Sequence, residues 1–425
     1  MTRLFISNAR IVDPASRMDA IGGVLIENGF IAEIGAKAKA PAGVETIDAS
    51  GKTLIPGLVD MRVVIGEPGA EHKETLKSAG RAAAAGGVTT MVVMPDTDPV
   101  IDDVSLVDFI KRRGEARAGV RVLPSAALTK HLDGEQMTEI GLLSEAGAVL
   151  FSNGSRPIVD SRVLRRALSY SSAFGALIAH RPEDPCLARG GVAHESALAA
   201  RMGLAGIPAA AEYIFAERDC ALAEITGGRL LLDMISAART LDPIRRAKAA
   251  GVKVHASVGI HHLTLNELEL NDYRTFAKFS PPLRSEDDRQ ALIAGLRDGV
   301  IDVVVSGHDP RPPEEKRLPF DEAAFGASAL ETLLPALLSL HHGEDVPLMD
   351  LIAAVTSRPA EILGLPQGRL AVGAPADMVL LDLDAPFKFD AETMLSKCKN
   401  SPFDGRLMQG RVTRTIVGGA TVFSH

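Results

Sequence analysis

Between Leu58 and Ser306 the chain repeats one pattern eight times: a short apolar run, a loop, and a helix-forming stretch that usually ends in glycine. The candidate strands are Leu58–Val64, Val88–Met94, Val120–Ala127, Ala148–Phe151, Ala176–Ala179, Arg229–Ile235, Val252–Val258 and Ile301–Ser306. Between them lie stretches such as KETLKSAGRAAAAGG and DPIRRAKAAG. Gly just past the last periodic residue is a usual helix stop. Eight strand-then-helix units point to an α/β fold, a (β/α)8 barrel rather than an open doubly wound sheet. No Gly-x-Gly-x-x-Gly follows the first strand, so a dinucleotide-binding fold finds little support. Two more helical stretches, Ala327–His341 and Leu348–Leu363, follow the eighth strand.

Both ends of the chain read as sheet. LFISNARIV alternates, and GVLIENGFIAEIG sets Asn28-Gly29 between two β-rich runs, a strong hairpin signal. ADMVLLDLD and GRVTRTIVGGATVF are alternating strands near the other end. The pattern predicts a small β domain made from residues 1–55 and 369–425, flanking a barrel over 56–368.

A net charge of −8 argues against a general nucleic-acid or membrane-surface binder, which needs a basic face. The three cysteines, Cys186, Cys220 and Cys398, are scattered and have no Cys-x-x-Cys spacing. A disulfide framework is not expected, and a reducing cytoplasm is. No stretch approaches the roughly 20 apolar residues of a membrane span. Cys186 and Cys220 read as buried or half-buried small residues with no base placed to activate them.

In a (β/α)8 enzyme the working residues stand at the C-terminal ends of the strands. Here the first strand ends in Arg62-Val63-Val64, followed by Gly66. The second ends in MPDTDP, the fourth in FSNGS, the fifth in AHRPEDP, the sixth in DMIS, the seventh in SVGIHH and the eighth in SGHDPRP. Together with AAAAGGVTTMVVMP, GLAGIPAAAE, HHLTL, PPLR and KNSPFDG, these segments resemble the class I dihydroorotases of the amidohydrolase superfamily, from about Ile11 to Phe423.

That resemblance implies a zinc enzyme in which a metal-bound water opens a cyclic amide. It also implies ligands at positions this chain fills otherwise. The family's His-x-His falls on Arg62 and Val64, and its acidic residue after the fourth strand on Asn153-Gly154. Its fifth-strand histidine falls on Arg181, its sixth-strand histidine on Met234, and its catalytic aspartate on Gly307. A substrate arginine becomes Gly66, and substrate asparagines become Asp96 and Ser280. The expectation is a degenerate site with no metal, in which Arg62, Asp96, Arg181 and His308 line a vestigial pocket. The two arginines are expected to pair with Asp96, Asp233 or Asp309. The alternative is an active cyclic amidohydrolase with a site rebuilt from His255, His261, His308 and Asp309.

The blander readings are structural. His180 should face away from the ligand slot, because side chains alternate along a strand. His261 and His262 read as a loop pair bonded to the backbone. Arg201, Glu212, Glu217 and Arg218 read as a solvated face, and RPPEEKR at 311–317 as an exposed loop. The resemblance further implies aspartate carbamoyltransferase as a partner in pyrimidine synthesis, within a homo- or hetero-oligomer.

Overall fold

A computed structural model describes residues 3–425. Eight parallel strand segments enclose an apolar core. They run Leu58–Val63, Val88–Val93, Arg121–Ala127 (interrupted at Ser125), Phe151–Ser152, Leu177–His180, Arg229–Leu232, Val254–Gly259 and Val303–Val305. Hydrogen bonding is continuous in this order across two ladders, and the ring closes where Val64 N donates to the His308 carbonyl at 2.8 Å. At the break in the third strand, Ser125 donates both its backbone N–H and its hydroxyl to the Val93 carbonyl, at 2.9 and 2.6 Å.

Eight helices form the outer layer: Leu76–Ala85, Val104–Arg117, Ile140–Ala146, Ser161–Ser172, Ala210–Thr226, Leu241–Ala249, Glu286–Arg297 and Leu333–Glu344. Their caps follow the sequence. Thr75, Asp103, Asp160 and Ser285 each accept a backbone N–H of the first turn, satisfying donors that the helix itself leaves open. Helix Leu76–Ala85 packs so closely that a Cβ on Gly80 would lie 2.0 Å from the Ala118 carbonyl oxygen. The long C-terminal stretch is two helices, Leu348–Val355 and Ser357–Leu363, broken at Thr356.

The two ends of the chain do share one sheet. The strand Thr53–Pro56 lies between Arg3–Asp13 and Met378–Lys388, so the N-terminal strands on one side meet the C-terminal strands on the other. Asn28 and Gly29 turn the expected hairpin with φ of 51° and 84°. Arg121, at the start of the third barrel strand, joins the two units by a two-pronged bond to Asp377 at 2.6 and 3.1 Å. One part of the C-terminal piece leaves the sheet. Residues 390–404 fold back over the barrel, where Asn400 donates to the Gly326 carbonyl and accepts from Arg311 N. The KNSPFDG segment therefore belongs to the barrel mouth.

Candidate functional site

Arg62 leaves the end of the first barrel strand and reaches across the mouth. Its side chain is 6% exposed, and Nη1 donates to Asp233 Oδ2 at 2.7 Å while Nη2 donates to Ser155 Oγ at 3.1 Å. Asp233 follows the sixth strand, and its other oxygen accepts from Ser257 of the seventh at 2.8 Å. One ion pair thus ties the first, sixth and seventh strands to the loop after the fourth. A charge removed from water is tolerated only with such partners.

Arg181 is enclosed to the same degree, but its partners are Glu183 at 2.9 Å and the Ser280 hydroxyl. The expected pairing with an aspartate therefore holds for Arg62 and fails for Arg181. Glu183 sits two residues along the same loop and takes the guanidinium locally. His180 faces away from the mouth, with Nδ1 2.6 Å from Asp219 Oδ2 and Nε2 accepting Ile158 N at 2.8 Å. Because Nε2 accepts, the ring proton sits on Nδ1 and points at Asp219.

The remaining expected positions are filled by packing. Asn153 is buried and bonds Thr129 through both ends of its amide. Gly154, at φ 60°, lies against Asp96: a Cβ there would come within 3.1 Å of that carboxylate. Burial raises the Asp96 pKa, with Arg62 opposing, and its Oδ1 has no hydrogen-bond partner. Met234 adopts φ 59°, a left-handed conformation costly for a non-glycine residue. Its methyl lies against Gly259 and Gly307, so that a Cβ on Gly307 would be 3.2 Å away. A side chain at 307 would therefore press on the Met234 methyl.

These groups surround a cavity of about 340 Å3, lined by Arg62, Val64, Ser155, Met234, His261 and Arg311 among others. His261 stacks on Phe279 with ring centroids 4.4 Å apart and lies 5.6 Å from Phe403. Neither of its ring nitrogens has a partner, and burial drives its pKa down to about 3. His262 does bond the backbone, at the Pro281 carbonyl 3.0 Å away, and burial lowers it to about 4. The expected backbone-bonded pair is therefore half correct, and it lies on a short helix, Ile260–Thr264.

Several expectations need correction. His308 is fully buried outside the cavity; its Nδ1 accepts Ala329 N at 3.0 Å and its Nε2 lies 3.7 Å from Glu74. It cannot help bind a ligand in the mouth. His255 stands near the start of its strand, 3.9 Å from Asp302, at the opposite end of the barrel from His261. Asp309 does reach the mouth but is held by Arg311 at 2.7 Å. The alternative metal set of His255, His261, His308 and Asp309 is thus not brought together. Strand direction separates His255, and the His308 ring turns toward Ala329.

The loop at 311–317 is not simply exposed. Lys316 is buried and donates to the carbonyls of Thr275 and Ala324 at 3.0 and 2.7 Å, and burial pulls its pKa to about 7. Glu212 is likewise buried, accepting Ser236 N, Ala237 N and Thr240 Oγ1. Cys186 is exposed, whereas Cys220 and Cys398 are buried. Sequence reasoning missed Ser155, Glu183, Asp219 and Phe279. Only Asp219 sat on a segment already read as a helix, and nothing in its spacing marked it as the partner of His180.

Comparison with known proteins places these observations. A family model described as dihydro-orotase-like matches residues 51–239, and one for the amidohydrolase family matches 209–422. A dihydroorotase of Wolbachia sp. subsp. Drosophila simulans is 41% identical over all of this chain and 96% of its own length. One from Anaeromyxobacter dehalogenans is also 41% identical, over 99% of this chain and 97% of its own. An L-hydantoinase (dihydropyrimidinase) structure from Arthrobacter aurescens superposes with a TM-score of 0.90 at 28% identity, covering 100% of this chain and 96% of that one.

Two predictions follow from the geometry of the mouth. Arg62→Met leaves the Asp233 carboxylate buried without its cation and should cost about 3–5 kcal/mol. Adding Asp233→Leu should recover part of that loss, and urea unfolding of the three forms measures both. His261 keeps its proton off until about pH 3 when folded, whereas an unfolded histidine takes one near 6.5. Between those values the unfolded chain binds the extra proton, so the contribution is full above about pH 6.5 and shrinks as pH falls. Between about pH 6.5 and 4 the wild type should lose stability faster than His261→Leu, by at most about 1.4 kcal/mol per pH unit.

Proposed function

The chain belongs to the dihydroorotase family, and we propose that it is a non-hydrolytic member acting as a structural partner of aspartate carbamoyltransferase in pyrimidine synthesis. The observation that carries this reading is the buried Arg62–Asp233 ion pair across the barrel mouth. The resemblance puts a zinc-binding histidine at position 62. A guanidinium there repels a cation and has no lone pair to offer.

The donor set around it does not fit zinc, which takes about four N, O or S donors from Cys, His or carboxylates. The ligand positions hold Arg62, Val64, Asn153-Gly154, Arg181 and Met234. Of these only the Met234 thioether, a weak donor, and the Asn153 amide oxygen have lone pairs to offer a metal, and that oxygen already accepts from Thr129 N and Oγ1. Among the described residues no group of three or more His, Cys, Asp or Glu side chains is arranged to hold a metal ion.

Charge balance speaks against retained binding of the acidic substrate as well. Arg62 is answered by Asp233, Arg181 by Glu183 and Arg311 by Asp309. A carboxylate entering the cavity would compete with existing partners and lose its hydration. The position of the family's substrate arginine is Gly66, folded so tightly that a Cβ there would lie 1.9 Å from the Ala70 carbonyl oxygen.

The partnership itself rests on the resemblance, in which chains of this kind accompany aspartate carbamoyltransferase. A cytoplasmic setting is part of the same proposal. Three free cysteines agree with it, and among the described residues no helix is long and apolar enough to cross a membrane.

The test has two parts. The purified chain, with zinc supplied, should show no dihydroorotate hydrolysis above the uncatalysed rate. Co-expressed with aspartate carbamoyltransferase from the same organism, it should yield a single larger species by light scattering. Turnover that tracks bound zinc would overturn the first part, and two separate species the second.

A further inference from the structure

The helix Ser161–Ser172 carries an outer face unlike that of an ordinary barrel helix. Its inward residues, Leu164, Ala167, Leu168 and Ser171, are buried. Outward, Arg162, Arg166, Tyr170 and Phe174 follow one another at four-residue steps, which places them in one stripe along the helix and just past its end. All four are exposed, with Tyr170 at 38% and Phe174 at 48%. The two rings meet edge to face, with centroids 5.1 Å apart.

The stripe continues onto the neighbouring helix Ile140–Ala146. Phe174 lies over Gly141, where a Cβ would come within 2.9 Å of the ring, and Leu142 beside it is 56% exposed. Arg162, Arg165, Arg166, Ser169, Tyr170 and Met137 together line an open groove of about 630 Å3.

A solvated helix face is usually laced with acidic and basic pairs. Here Arg162 pairs with its own helix cap, Asp160, at 3.1 Å, and no ion pair among the described residues involves Arg165 or Arg166. The chain as a whole carries −8, so a cluster of uncompensated arginines runs against its overall charge. Arginine, tyrosine, phenylalanine and methionine are the residues enriched at protein interfaces, where lysine and glutamate are depleted.

We propose that this face is a docking surface for a second protein presenting an acidic patch with an apolar centre. Charge complementarity selects the partner's chemistry, and the aromatic pair with Leu142 supplies the apolar contact. On the reading given under Proposed function, on which this choice of partner rests, that protein is aspartate carbamoyltransferase.

Charge reversal on the stripe tests it. The Arg165→Glu/Arg166→Glu chain and a separate Phe174→Ser chain are each co-purified with aspartate carbamoyltransferase beside the wild type. Lys39→Glu, in the terminal β domain, serves as the control, and circular dichroism and melting temperature verify folding of every form. The expected result is a complex with the wild type and Lys39→Glu, weakened at least about tenfold by either stripe variant. A wild-type complex that both stripe variants leave intact would overturn the surface while leaving the partnership standing. Absence of any wild-type complex would overturn both. A dimer of this chain alone, dissolved by the stripe variants, would make a second copy the occupant and overturn the choice of partner.

Discussion

A guanidinium keeps its proton at any pH the fold survives, so wherever Arg62 is buried something must answer its charge. Asp233 does so at 2.7 Å, and Asp233 is in turn oriented by Ser257. These contacts cross the barrel mouth and draw in the loop that carries Ser155. The neighbouring substitutions make sense around that constraint. Gly154 and Gly307 leave room, Met234 fills the space beside Gly307, and Val64 adds apolar wall without a competing charge. The mouth is closed by an organic ion pair and packing, and every arginine lining it has a carboxylate of its own.

This arrangement separates two things that the fold normally supports together. The eight-stranded barrel, its capped helices and the shared terminal sheet need only apolar strands, glycines at tight contacts and helix caps. The chemistry of the mouth needs particular donors at strand ends. A chain can therefore keep the first and replace the second. On the proposed reading the chain's role falls to its outer surface, where the arginine-aromatic stripe on Ser161–Ser172 stands out.

Much of the fold was legible in the sequence because strand and helix periods differ and glycine marks the joins. The strands were placed to within a few residues, and Asn28-Gly29 announced its hairpin. Less of the site could be read. Arg62 and Asp233 stood out as a cation at a strand end and one of three aspartates expected to meet it. The partners of Arg181 and His180 did not, because Glu183 and Asp219 are ordinary acidic residues until the loops are folded. His308 and His255 misled for a simpler reason. Sequence order places them near strands seven and eight, but it does not say toward which end or which side the rings turn. Lys316 misled in the opposite sense: a charged run reads as solvated, yet two backbone carbonyls hold this ammonium inside.

On the proposed reading the Arg62–Asp233 pair holds the barrel mouth in the folded state without a metal. The most direct measurement is the thermal unfolding midpoint of the purified chain in excess zinc and in excess chelator. A ligand that binds only the folded form raises its midpoint. The account predicts the same midpoint in both conditions, with Arg62→Met lowering it equally in each. A midpoint that rises with zinc and falls with chelator would contradict the account, because it would mean that the folded mouth holds a metal after all.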